Sequence, residues 1–122
     1  MRMNDVVFEG RPAIDGYGGG GFRIGGAVWR GAVLILPDRI APWRCATPLT
    51  AACFAEVVAT SRAVDILLVG TGPEIAFLPH AAREALDAAG VACDAMGTPA
   101  ACRTFNVLLA EERRVAAALL PV

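Results

Sequence analysis

The stretch VDILLVGTG, residues 64–72, decides the fold. Ile66, Leu67, Leu68 and Val69 are apolar without alternation, which suits a strand buried on both faces in the middle of an α/β sheet. Gly70-Thr71-Gly72 then lets the backbone turn sharply, and a turn of this kind leaves the N–H groups of all three residues open to a ligand. Downstream the chain reads as helix, strand, helix, strand. Upstream it reads as short strands and one helix, so the run belongs at the centre of the fold.

Below the glycines, Pro73–Leu78 is an irregular loop. Pro79 suits the first turn of a helix that stops at Gly90, a C′ glycine. Ala82, Leu86 and Ala89 give this helix a small-residue face that can lie close on a sheet. Val91–Met96 is the next strand, and strand, helix, strand in this order implies a right-handed parallel crossover. Thr98 reads as an N-cap, with Pro99 at the first helical position. Ala101, Phe105, Leu108 and Leu109 recur at i, i+4, i+7 and i+8, an apolar stripe along that helix. Val115–Leu120 completes the sheet.

Above the central run, Thr50 reads as the N-cap of a helix reaching Ala59, with Cys53, Phe54, Val57 and Val58 as its buried stripe. Ile40–Trp43 is a short strand after a turn at Pro37-Asp38-Arg39. Ala27–Trp29 and Val33–Leu36 read as a hairpin around Arg30-Gly31. Val6–Ile14 reads as a first strand interrupted near Gly10-Arg11-Pro12. Gly16, Gly18 and Gly21 satisfy G-x-G-x-x-G, but the strand Phe22-Arg23-Ile24 follows. No helix N-terminus is there to hold a pyrophosphate, so these glycines form a turn between strands. Trp29 and Trp43 read as core or rim residues.

Composition narrows the functions. With 122 residues the chain is expected to be one domain over residues 1–122, burying roughly two-thirds of its unfolded surface. It is 56% hydrophobic, and that excess must enter a large core, an oligomer interface or both. No stretch free of charged residues, Ala46–Ala55 included, much exceeds half of the about 20 residues a membrane-spanning helix needs. The N-terminus MRMNDVVFEG has neither an apolar signal region nor an Arg-rich presequence, so the expected location is the cytoplasm. A net charge of −1 with scattered arginines offers no stripe for nucleic acid or anionic lipid.

The chain has no lysine, which excludes a P-loop and Schiff-base chemistry. His80 is the sole histidine, so no His-rich metal site forms, and Ser61, the sole serine, lacks a G-x-S-x-G setting. Cys45, Cys53, Cys93 and Cys102 lie in apolar surroundings without C-x-x-C spacing and read as reduced core thiols rather than disulfides or a zinc site. No catalytic residue, metal or cofactor is expected.

VDILLVGTG, Gly90-Val91, Thr98, Ala101, Cys102, Thr104-Phe105-Asn106 and the segment Glu112–Leu119 together resemble one family. Ile14-Asp15-Gly16-Tyr17-Gly18, Gly31 and Trp43 extend the likeness into the N-terminal half. The family is the small-domain group that includes the mitochondrial complex I assembly factor 3 and an adipogenesis-associated protein. The resemblance implies a three-layer α/β domain on a mixed, mainly parallel central sheet with an N-terminal strand-rich part. It also implies a family without established enzymatic activity, whose mitochondrial member acts through protein partners.

The expected function is thus that of a non-enzymatic, assembly-factor-like interaction protein. It would take protein partners, including a subunit of a respiratory complex, and form a homo-oligomer, most simply a dimer. The alternative is a nucleotide- or anion-binding domain, since Asp94 lies about twenty residues beyond Gly70-Thr71-Gly72 as in a dinucleotide site. Against it, Ile75 occupies the place of the third glycine and Pro73–Leu78 postpones the helix. If any small ligand binds, it is expected beyond the carboxyl ends of the parallel strands. There Gly70, Thr71 and Gly72 would meet Gly97 and Thr98 at a helix N-terminus. Asn106 is a further ligand-binding candidate, but it lies two turns deeper, where it would rather hold structure together, and Thr71 is expected to carry no capping duty.

Overall fold

The computed structural model describes residues 10–45 and 47–122. Two sheets form. Strands β1 (Ile14–Gly18), β2 (Gly21–Ile24) and β3 (Ala27–Arg30) make a three-stranded antiparallel meander. The expected Val6–Ile14 strand falls partly on residues 6–9, outside the described residues. From Gly10 to Ala13 the backbone is not strand, as Pro12 cannot donate to a ladder, and β1 starts at Ile14. Phe22 and Ile24 are buried while Arg23 points outward, the period of a half-covered strand.

The second sheet has five strands in the order β5-β4-β8-β6-β7. They are β4 (Val33–Ile35), β5 (Ile40–Pro42), β6 (Ile66–Gly70), β7 (Ala92–Met96) and β8 (Val115–Leu119). The sheet is mixed: β8, β6 and β7 run parallel, whereas β4 is antiparallel to both β8 and β5. This corrects the hairpin of Ala27–Trp29 with Val33–Leu36. A strand has two edges, and both edges of β4 are taken by β5 and β8, so β3 pairs with β2 in the other sheet.

Burial explains why the central sequences lack alternation. Leu67 and Val69 of β6, Leu34 of β4 and Ala116 and Ala118 of β8 face one core with Phe54, Val57, Ala82 and Leu86. Leu68, Val33, Ile35, Val115, Ala117 and Leu119 face a second core with Phe22, Ile24, Ala101 and Phe105. Both faces are covered, so every residue along the strand is apolar. The first core lies under α1 (Ala55–Ala59) and α2 (His80–Ala88), the second under α3 (Thr98–Ala110) and the small sheet. Three layers result. From β6 the chain steps outward through α2 to β7, then back past β6 through α3 to β8. With one handedness for both crossovers, reversing direction puts the two helices on opposite faces, where they are found.

The helix expected from Thr50 to Ala59 is broken into a 3-10 turn, Ala51–Phe54, followed by α1. Cys45 and Cys53 are joined as a disulfide, which corrects the expectation of four reduced thiols, while Cys93 and Cys102 are free. The bridge arises because Trp43 ties the two segments together, its Nε1 donating to Cys53 O at 2.8 Å.

Candidate functional site

The loops after β6 and β7 meet as expected beyond the carboxyl ends of the parallel strands, and the C-terminal end of β8 joins them. Thr98 is the pivot. It is fully buried, its Oγ1 donates to Leu120 O at 2.7 Å, and the same oxygen accepts Gly72 N–H at 2.9 Å. Thr98 N–H in turn donates to Gly72 O at 2.7 Å. The N-cap of α3 is therefore Gly97, a correction to Thr98, whose hydroxyl is drawn away from the helix end by Gly72 and Leu120. Gly70 must be glycine, for a Cβ there would stand 2.8 Å from Thr98 Oγ1 and 2.9 Å from Leu119 Cδ2. Gly72 sits at φ +98°, where other residues are strained.

Thr71 is bound as tightly. Its N–H donates to Met96 O at 2.9 Å. Its Oγ1 reaches Glu74 O at 2.7 Å and Met96 O at 3.1 Å, and accepts Ala76 N–H at 3.1 Å. Thr71 thus has a structural duty, pinning the 73–78 loop to the end of β7. The amides of Thr71 and Gly72, expected to stand open, are both spent inside the protein, and Thr98 N–H at the helix end is spent as well. Gly70, Thr71, Gly72, Gly97 and Thr98 therefore converge, but as a knot of internal hydrogen bonds. Asn106 does not join them: it lies about 12 Å further along α3. Its Oδ1 accepts Ile14 N–H and its Nδ2 donates to Ile14 O, both at 2.8 Å, clamping the start of β1 to the helix.

Against this knot lies a cleft of about 250 Å³. Thr47, Pro48 and Leu49 form one side, Ala76, Phe77, Leu78 and Pro79 the other, and Thr71 and Leu120 complete the lining. Every lining side chain is uncharged. At its rim Phe77 is 92% exposed and Ile75 66% exposed, on the loop that Thr71 holds. Rigid presentation of two large apolar side chains beside an apolar cleft suits protein contact better than a polar ligand. Sequence reasoning passed over Phe77 and took Ile75 only as standing in the place of a third glycine. The available signal was an Ile-Ala-Phe triplet between two prolines in a loop, where apolar residues have no core to enter.

The titratable groups add no chemistry here. Burial pushes the Cys93 and Cys102 thiols up to about 11, which keeps them protonated and inert. His80 lies in the exposed first turn of α2, 3.4 Å from Glu84. Arg114 hydrogen-bonds Asp65 next to the start of β6, the opposite end from the cleft, and lowers that carboxyl below its ordinary value. Among the described residues no group of acids, cysteines and histidine could hold a metal ion, and no helix is long and apolar enough to cross a membrane.

The chain is 47% identical over 122 residues to an uncharacterized protein of Rhodobacter capsulatus, covering all of this chain and 94% of that one. It is 33% identical over 110 residues to human NADH dehydrogenase [ubiquinone] 1 alpha subcomplex assembly factor 3. That alignment covers 88% of this chain but only 60% of the human protein. A crystal structure described as an outer membrane protein from Bartonella henselae superposes with a TM-score of 0.88 at 42% identity, covering 95% of this chain and 99% of that one. The profile of the protein family of unknown function DUF498/DUF598 matches residues 14–120, and the chain belongs to that family.

Proposed function

We propose that this protein is a non-enzymatic, assembly-factor-like interaction protein that engages a protein partner through the cleft and the Ile75–Phe77 rim. The observation that carries the reading is Phe77, almost wholly exposed on a loop whose backbone is fixed by Thr71. Fixing the loop beforehand removes much of the ordering cost that binding would otherwise incur. The likeness to a complex I assembly factor favours a subunit of a respiratory membrane complex as the partner. In this reading the chain acts as one domain, works as a homodimer in the cytoplasm, and needs no cofactor. The nucleotide reading gains no support, because Thr71 and Gly72 have no free amide to offer a phosphate.

The test uses tagged protein purified from its native organism, with Phe77→Ser alongside wild type. Wild type should recover respiratory-complex subunits. Phe77→Ser should lose them roughly thirtyfold or more, the effect of truncating an interface anchor worth about 2 kcal/mol. Recovery of no stable partner, together with a deletion strain of unchanged NADH:quinone activity, would refute the respiratory reading. Light scattering of the purified protein tests the dimer, and a monomer at micromolar concentration would refute it.

A further inference from the structure

We propose that the Cys45–Cys53 pair is a redox latch on the wall of the apolar cleft, closed by the disulfide and opened by a dithiol reductant. The segment between the two cysteines supplies Thr47, Pro48 and Leu49, one whole side of the cleft. Leu49 is buried in the first core and the 3-10 turn after Thr50 is fixed by Phe54, so the far end of the segment has its own anchorage. The near end, beyond Trp43, gains from the bridge a direct covalent tie to the 3-10 turn. Both cysteines are half-buried, which leaves them within reach of a small thiol.

Thr50 N–H points to Cys53 Sγ at 3.3 Å and Thr50 Oγ1 lies 3.5 Å from it. These donors stabilise negative charge on Cys53 as it leaves. A reductant thiolate attacks Cys45 Sγ, the S–S bond breaks, and its electron pair goes to Cys53 Sγ. The second thiol of the reductant then attacks its own sulfur in the mixed disulfide, releasing Cys45. The protein gains two electrons and two protons, and the dithiol leaves as a cyclic disulfide. Cys93 and Cys102 take no part, since burial holds both as protonated thiols.

The latch is tested on the purified protein without any partner, so its failure is separate from failure of the interaction reading. Protein treated with oxidised glutathione or with dithiothreitol is alkylated, digested and mapped by mass spectrometry, in parallel with hydrogen exchange. Oxidised protein should show a Cys45–Cys53 link. Reduction should speed amide exchange over residues 47–50 by ~10-fold or more, as expected of a local opening, while β6 and β8 keep their protection. The Cys45→Ser/Cys53→Ser variant should exchange like the reduced protein under both conditions. If that variant does not fold, wild type compared before and after reduction still decides. Failure of the two cysteines to link, linkage to other cysteines instead, or equal exchange over 47–50 in both states would overturn the proposal.

Discussion

Replacing Thr98 by valine keeps the shape of the side chain and removes one oxygen. That oxygen donates to Leu120 O and accepts from Gly72 N–H, and Thr98 is fully buried. The valine methyl can do neither, so a carbonyl and an amide lose their partners at once. Each such hydrogen bond contributes about 0.5–1.5 kcal/mol net, and an orphaned buried group costs about 1–3 kcal/mol. Leu120 lines the cleft, where water can partner its carbonyl, whereas the Gly72 amide is buried, so the expected cost of Thr98→Val is about 2–4 kcal/mol. An N-cap alone would cost about 1 kcal/mol. Urea unfolding followed by circular dichroism separates the two. With a slope of about 1.5 kcal/mol/M for a domain of this size, the midpoint should fall by roughly 1.3–2.7 M at unchanged slope. Thr98→Ser retains the oxygen and loses only a buried methyl, so it should cost about 1 kcal/mol. A loss under about 1 kcal/mol for valine, or equal losses for valine and serine, would refute the assignment of Thr98 as the pivot of the three loops.

Leu67→Ala and Val69→Ala, both on the fully covered face of β6, should each cost about 2–4 kcal/mol in the same unfolding assay. Gly70→Ala should destabilise by about 1–3 kcal/mol, since its methyl would overlap Thr98 Oγ1 and Leu119. A neutral Gly70→Ala would mean that the glycine serves only the turn. The thiols of Cys93 and Cys102 are raised in the folded state, so their contribution to stability is complete below the unfolded value of about 8.5. It declines as pH rises towards about 11. Thermal melts should show this alkaline loss, and Cys93→Ser with Cys102→Ala should flatten it. Asp65 is depressed by Arg114, so its contribution is present above the unfolded carboxyl value and lost as pH falls through the folded one. Asp65→Asn should weaken the acid limb of the same melts.

The central strand, the two crossover helices and the last strand were legible because each is decided by its own residues. Ile66–Val69 has no polar face to offer solvent, and the stripe through Ala101 and Phe105 has only one way to lie on a sheet. The pairing of β4 was not legible. Its antiparallel neighbour β8 lies some eighty residues away in sequence, and nothing in Val33-Leu34-Ile35 favours that neighbour over the adjacent Ala27–Trp29. Thr98 was misread for the same reason: Gly-Thr-Pro at a helix start reads as a cap until Leu120 is seen arriving from the far end of the chain. Asn106 was a ligand-binding candidate whose depth favoured a structural part, and its amide is occupied by Ile14, a partner 92 residues away that the sequence does not mark. The Cys45–Cys53 spacing matches no motif, and the Trp43 indole bond to Cys53 O is a contact between the two segments that the sequence does not announce.

The position of β8 bears on how the molecule is made. It is synthesised after every other strand of its sheet, yet it fills the slot between β4 and β6. Until it emerges from the ribosome, the β4–β5 hairpin and the β6–α2–β7 unit exist as two fragments with open inner edges, each presenting apolar rows to solvent or to a neighbouring nascent chain. A stop codon before Val115 would remove the keystone rather than trim an end, and such a product is expected in the aggregated fraction or degraded. Fusing a second copy of Val115–Leu119 upstream would offer the nascent chain a decoy, with β4 and β6 competing for the wrong strand.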